Sequence, residues 1–436
     1  MLKRICFIYL CLHIINLWSK PNIVIIIADD LGWGDVGFHG GKAKTPALDK
    51  LAKDGIELSR FYVYPTCTPT RVGLLTGKSP LKFGVSRPVG PRQVAIPLKE
   101  ELLSGTLQKN GYQTWLVGKW HVGESTVDYL PMKRGFDHSY GCFGGGVDYF
   151  KHTEFKSKNL DWHRNGKAIK EEGYSTDLFT KEAVKMIKNR KRDKPFFLMM
   201  AYTAAHVPLQ APEETKRKYV GTDEEKTYLA MIDHLDQGVA KIIKTIEAEK
   251  IDKDTVVIFF SDNGHSTRGP GKSGILSGGK GGLNEGGIRS TALIHWKGTL
   301  ESGKLSIQMS ILDLFPTLCE ISKINAKENL EGQNYLSALK ENKKLKVKPY
   351  IFSNGRFHTI IQDDYKLLGN RRHGWSLYNV SEDPSEKNDL IDSKKELADD
   401  LKKVYESYMK TVPEVTLPNK NRRQGEGRNQ NRREIK

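Results

Sequence analysis

The 436-residue chain is too long for a single small module and points to about two or three domains. Its 38% hydrophobic and 9% aromatic content excludes wholesale disorder and supports a sizeable core. With 69 basic and 52 acidic residues, the formal charge of +17 favours polyanionic partners: nucleic acid, anionic membrane or acidic glycan.

At the N-terminus, Lys3 and Arg4 precede an apolar run, Ile5 to Trp18, interrupted by His13 and Asn16. The run is too short to span a bilayer, which takes about 20 residues. A charged start followed by a short apolar stretch predicts a signal peptide over residues 1–20, although a clean A-x-A cleavage site is missing. The expected product is exported, secreted or periplasmic, with no transmembrane anchor. Of the five cysteines, Cys6 and Cys11 lie in that leader, leaving Cys67, Cys142 and Cys319. This is no disulfide scaffold, and neither C-x-x-C nor a cysteine–histidine zinc spacing occurs.

Asn22 to Ala28 reads N-I-V-I-I-I-A, a β-branched run of strand length suited to burial on both faces, and it ends in Asp29 and Asp30. The same grammar recurs at Thr114 to Val117 before G-K-W-H, at Phe196 to Tyr202 before T-A-A-H, and at Thr255 to Phe260 before S-D-N-G-H. Helical stretches, Thr176 to Asn189 and Tyr228 to Lys250, lie between them. Strands alternating with helices predict an α/β fold with a large, mainly parallel sheet flanked by helices. In open sheets of this kind ligands bind beyond the carboxyl ends of the strands, where this chain places polar, ionisable residues. The α/β domain is expected over residues 21–335. After a Lys- and Asn-rich boundary, a smaller α+β C-terminal domain is expected over 345–415, with short strands from Tyr350 to Leu377 and an amphipathic helix from Ser393 to Met409. The Arg-, Asn- and Gln-rich stretch 418–436 has the composition of a disordered tail.

Three clusters carry chemistry. In Phe61 to Gly77, Cys67 precedes Thr68 and Pro69, and a helix is predicted to run on through Thr70 to Thr76. Cys67 then sits at the positive helix end, with Arg71 one turn on along the same face, an anion-handling pair. Asp29, Asp30, Asp262 and Asn263 supply hard oxygen ligands suited to Ca²⁺ or Mg²⁺ rather than zinc. Lys119, His121, His206 and Lys280 add cations and proton carriers. Taken singly, each cluster has an ordinary explanation: a buried thiol, a turn, a loop lysine. Found together at four strand ends and one helix start, they describe a divalent cation, a Cys-derived nucleophile and several cations facing one tetrahedral oxyanion. A phosphate-cradling G-x-x-x-x-G-K-[ST] loop is absent.

C-T-P-T-R followed by V-G-L-L-T-G resembles the signature of the Cys-type, formylglycine-dependent sulfatases of the alkaline-phosphatase-like superfamily, and G-K-W-H-V-G resembles their second signature. I-I-A-D-D-L-G-W-G-D, S-D-N-G, G-K-x-x-x-x-E-G-G-x-R and L-Y-N-V-S-E-D-P-S-E-K-N-D-L extend the similarity from about Pro21 to about Met409. Y-P-T-C-T-P-T-R and A-H-V-P-L-Q-A-P-E-E resemble arylsulfatase B-like members most.

The resemblance implies that a formylglycine-generating maturation enzyme converts Cys67 to 3-oxoalanine (formylglycine), whose hydrated aldehyde attacks sulfur and releases sulfate by collapsing back to the aldehyde. It implies one Ca²⁺ held by Asp29, Asp30, Asp262, Asn263 and the modified Cys67. Arg71 would hold the formylglycine, Lys119 and Lys280 would bind sulfate oxygens, and His206 would protonate the leaving alcohol. His121 would take the proton of the second hydroxyl, and Asp262 is a candidate base for the attacking one. A sulfated carbohydrate fits the basic charge, an N-acetylgalactosamine-4-sulfate-like sugar being one candidate, and no nucleic acid is expected. Two alternatives stay open: a phosphonate monoester or phosphodiester hydrolase using the same modified residue, and a non-catalytic polyanion-binding protein. Segment Ser139 to Tyr174, rich in Gly, aromatics and His, reads as loop, with a sugar subsite as the other reading.

Overall fold

The computed structural model describes residues 20–90, 93–155, 157–341, 345–370 and 372–413. The expected signal peptide over 1–20, apart from Lys20, and the expected disordered tail over 418–436 lie outside the described residues.

A ten-stranded sheet organises the larger part of the chain. Its order is Gly303–Leu305, Ile56–Leu58, Ala292–His295, Thr255–Ser261, Asn22–Ala28, Phe196–Ala201, Gln113–Gly118, His138–Gly141, His163–Arg164 and Lys167–Ala168. The five strands from Thr255–Ser261 through His138–Gly141 are mutually parallel, and the flanks are mixed. Every residue of Asn22–Ala28 is buried. Ile23, Ile25 and Ile27 face one core, shared with Val72, Leu74 and Leu75 of the Cys67–Thr76 helix and with the Leu314–Ile321 helix. Val24, Ile26 and Ala28 face the other, shared with Phe179 and Ala183 of helix Ser175–Lys188 and Leu235, Val239 and Ile242 of helix Asp223–Ala248. The unbroken apolar run is therefore the sequence trace of a strand covered by helices on both sides.

The Asp223–Ala248 helix starts earlier than its apolar periodicity suggests. Thr222 accepts from the Glu225 N–H while the Glu225 carboxylate accepts from the Thr222 N–H, a reciprocal cap that an apolar pattern does not reveal.

The central strands end level with one another. Ala28 pairs with Ser261, Ile27 with Ala201, and Gly118 with Ala201. Crossing bonds continue past the last pairs: Asp262 N–H to Ala28 O at 3.0 Å, Tyr202 N–H to Ile27 O at 2.9 Å and Lys119 N–H to Ala201 O at 2.8 Å.

The C-terminal part is a four-stranded antiparallel meander, Tyr350–Ser353, His358–Gln362, Tyr365–Asn370 and Gly374–Asn379, covered by helix Lys395–Met409. Ile351, Ile360, Leu367 and Leu377 pack against Ala398, Leu401 and Tyr405. The Ser139–Tyr174 segment, read as loop, contributes three short strands to the sheet edge instead. No helix among the described residues is long and apolar enough to cross a membrane.

Candidate active site

Four strand ends, one helix start and the loop carrying Lys280 deliver the predicted residues to one place. Asp29 and Asp30 follow Asn22–Ala28, Asp262 and Asn263 follow Thr255–Ser261, Lys119 and His121 follow Gln113–Gly118, and His206 follows Phe196–Ala201. Cys67 is the first residue of the Cys67–Thr76 helix, at its positive end as expected. Arg71, one turn on, turns its guanidinium inward.

The charges interlock. Lys119 Nζ lies 2.6 Å from Asp29 Oδ2, and Arg71 Nη2 lies 2.8 Å from Asp262 Oδ2, with all four side chains fully buried. Arg71 Nη1 also donates to the Lys119 carbonyl at 2.8 Å, tying the two pairs together. Asp30 accepts from Lys280 Nζ at 2.6 Å and from Asn263 Nδ2 at 2.8 Å, and His206 Nε2 stands 3.9 Å away. Lys280 and His206 are each 19% exposed, which puts them at the mouth and the other groups at the floor.

Burial alone would raise the Asp29 carboxyl, but Lys119, with His206, Arg71 and Lys280 behind it, holds it well below the usual carboxylate range. Asp262 moves the other way: burial and the neighbouring Asp29 push it up to about 7 despite Arg71. Burial also pushes the Cys67 thiol up. The helix start does not favour the thiolate here as its position suggested, because desolvation outweighs Lys119 and Lys280. His121 is driven well below its ordinary value by burial and by Lys119 and Arg71.

The two histidines have assigned tautomers by elimination. His121 Nε2 is 3.1 Å from the Val89 carbonyl and must donate to it, so Nδ1, 3.3 Å from Cys67 Sγ, presents a lone pair. His206 Nδ1 donates to the Val207 carbonyl at 2.6 Å, leaving Nε2 toward Asp30. Asp30 and His121 both have left-handed backbones, φ 62° and 57°, an arrangement that concentrates at functional sites.

Residues outside the predicted set complete the site. Val89 orients His121. Gly145 and Gly146 lie against the histidines: a Cβ on Gly145 would stand 2.6 Å from His121 Nε2, and one on Gly146 3.3 Å from the His206 ring. The G-G-G run was visible in the sequence, but only the fold shows which side chains it accommodates.

Three buried oxygens, Asp29 Oδ1, Asp262 Oδ1 and Asn263 Oδ1, have no hydrogen-bond partner among the described residues. Each belongs to a side chain whose other polar atom is engaged, by Lys119, Arg71 and Asp30 respectively. Unpaired buried oxygens on a hard-donor set fit a divalent cation such as Ca²⁺.

A family model described as sulfatase matches residues 21–324. The chain belongs to the sulfatase family. Among curated sulfatases it is 34% identical to mouse arylsulfatase J over 73% of this chain and 55% of that protein. It is 32% identical to human N-acetylgalactosamine-6-sulfatase over 77% of this chain and 69% of the relative. It thus spans little more than half of arylsulfatase J. Among solved structures, Ps i-CgsB in complex with k-i-k-neocarrahexaose aligns with TM-score 0.85 and 35% identity, covering 91% of this chain and 94% of that one. The residues matched by that family model include Cys67 and Lys119, which lie in the buried cluster.

Proposed function

We propose that this sulfatase is an exported sulfuric ester hydrolase that removes sulfate from a sulfated glycan. The convergence of Cys67, Arg71, Lys119, His121, His206 and Lys280 on the carboxylates at the parallel strand ends carries the reading. The region 21–335 would be the catalytic domain. Asp29, Asp30, Asp262 and Asn263 would hold Ca²⁺, which supplies positive charge to sulfate oxygens and to the nucleophile's oxygen. Cys67 would be matured to formylglycine, which supplies a hydrated-aldehyde oxygen as nucleophile in place of a thiol.

The remaining tasks fall to side chains already in position. His121 accepts a proton at Nδ1, because Nε2 is committed to Val89, and Nδ1 faces the Cys67 side chain. His206 presents Nε2 toward the mouth, where a leaving alcohol would sit, while Val207 fixes the ring through Nδ1; in its imidazolium form the ring would give that alcohol the Nε2 proton. Lys119 places a buried cation beside the nucleophile, and Lys280 brings one from the rim. Arg71 compensates Asp262 so that the carboxylates can be concentrated without solvent.

A sulfated oligosaccharide substrate is supported by the hexaose bound to Ps i-CgsB and by the sulfated amino sugar in the name of the human relative. The test is co-expression with a formylglycine-generating enzyme, followed by mass analysis of tryptic peptide Phe61 to Arg71 and turnover of an aryl sulfate, a sulfated oligosaccharide and a phosphate diester. An aldehyde at Cys67 with sulfate release is the expected result. Diester cleavage without sulfate release from the modified protein would favour the phosphodiesterase reading. A modified but inert protein, with glycan binding retained in Cys67→Ala, would favour the binding-protein reading.

A further inference from the structure

The sulfate-binding role proposed for Lys280 leaves a physical problem. Lys280 sits in G-G-K-G-G, and Gly278 and Gly281 have left-handed φ values of 74° and 83°. A glycine-rich loop has little intrinsic rigidity, yet a group that meets a sulfate oxygen must be placed to within a fraction of an ångström.

The loop is held from outside, by the C-terminal part of the chain: a residue of its sheet, one in a turn of that sheet and one in the segment after it. Glu386 accepts from Ser277 Oγ at 2.5 Å and from the Glu285 backbone N–H at 2.7 Å, so one carboxylate grips both ends of the loop. Lys366, on strand Tyr365–Asn370, lies 3.0 Å from Glu285 and 2.8 Å from Glu386 and is fully buried. Asn354 Nδ2 donates to Gly281 O at 3.0 Å, while the Gly281 N–H donates to Pro65 O at 2.7 Å, just ahead of Cys67. Gly281, next to Lys280, is thereby held on both sides, by Asn354 and by the segment that leads into the Cys67–Thr76 helix. A staple serving stability alone has no reason to fall at residues 277, 281 and 285, around one catalytic candidate.

We propose that the C-terminal domain is a positioning element for the active site, with Glu386, Lys366 and Asn354 acting through the 277–285 loop to set Lys280. This rests on the sulfate-binding reading of Lys280. It makes Glu386 a positioning residue, since it touches neither substrate nor the reacting atoms.

The test is a double-mutant cycle on the matured protein with an aryl sulfate, combined with amide hydrogen exchange. Lys280→Ala, Glu386→Ala and the double variant are compared by kcat and KM, and Glu386→Gln, which keeps an acceptor for Ser277 and Glu285, serves as the conservative control. Glu386→Ala is expected to lower kcat about tenfold or more, and adding it to Lys280→Ala should cost little beyond Lys280→Ala itself. Glu386→Gln should recover most of the loss, and exchange at 277–286 should quicken in Glu386→Ala. Where Glu386→Ala does not fold, Asn354→Ala takes its place in the same cycle. Losses that multiply independently of Lys280, or unchanged exchange in the loop, would overturn the proposal. An active Lys280→Ala would overturn it together with the sulfate-binding role, and that failure is recognised in the single variant.

Discussion

Lys119 Nζ and Asp29 Oδ2 meet at 2.6 Å with neither side chain reaching solvent. A buried pair of this kind adds little over an apolar pair, but removing one partner strands a charge. Lys119→Met is expected to cost about 3–5 kcal/mol of stability, read as a lowered urea midpoint, as well as activity. Asp29→Asn/Lys119→Met should be less destabilised than Lys119→Met alone, because the stranded carboxylate is gone.

Calcium should stabilise the fold independently of turnover. The unpaired oxygens of Asp29, Asp262 and Asn263 offer a cation three buried contacts, so chelation is expected to lower the melting temperature and added Ca²⁺ to restore it. At about 100 times its dissociation constant, a ligand adds about 2.7 kcal/mol. The Ca²⁺-dependent shift should be lost in Asp262→Ala, and a calcium titration of that variant by calorimetry checks it. An equal shift in parent and variant would rule out this assignment.

Gly145→Ala separates chemistry from folding. Gly145 is not in the left-handed region, so alanine brings no backbone penalty, but its methyl would stand 2.6 Å from His121 Nε2 and push the ring off Val89. Activity is expected to fall about a hundredfold with the melting temperature nearly unchanged. Full activity in the variant would show that His121 needs no fixed ring position.

Two acids remote from the site should shape stability against pH. Burial pushes Asp236, which accepts from the Ala47 and Leu48 N–H groups, up to about 6. Asp313, which accepts from Tyr350 and Ser310, is pushed up to about 6 by the same cause. Folded values above the unfolded 3.8 mean that the native state binds protons more tightly. Their contribution is therefore fully present below pH 3.8 and is lost as pH rises through about 6. Asp236→Asn should flatten the fall of the unfolding midpoint between those values.

The fold was legible where one physical cause wrote the sequence. Strands covered on both faces left runs such as Asn22 to Ala28, and their ends carried the residues of the site. The convergence itself was inferred from the grammar of parallel sheets, and distances such as Arg71 to Asp262 came only with the fold. Less legible were partners distant in sequence. Lys366 sits in Y-K-L-L-G-N, where nothing local marks the lysine as buried, yet it is fully buried because Glu285 and Glu386 meet it from elsewhere. Val89 was invisible for another reason: its contribution to His121 is a backbone carbonyl, which every residue has.

The level strand ends carry a consequence for how such a chain can change over generations. Ala28 opposite Ser261 and Gly118 opposite Ala201 place the next residues of each strand on one line across the sheet. Inserting or deleting a single residue within any of these strands would slide its terminal group by about 3.3 Å and turn it to the opposite face. Substitutions there change one group at a time, whereas a length change breaks alignment with every neighbour. Growth and loss of sequence are therefore confined to segments outside these strands, such as those joining their opposite ends, where added residues leave the alignment untouched.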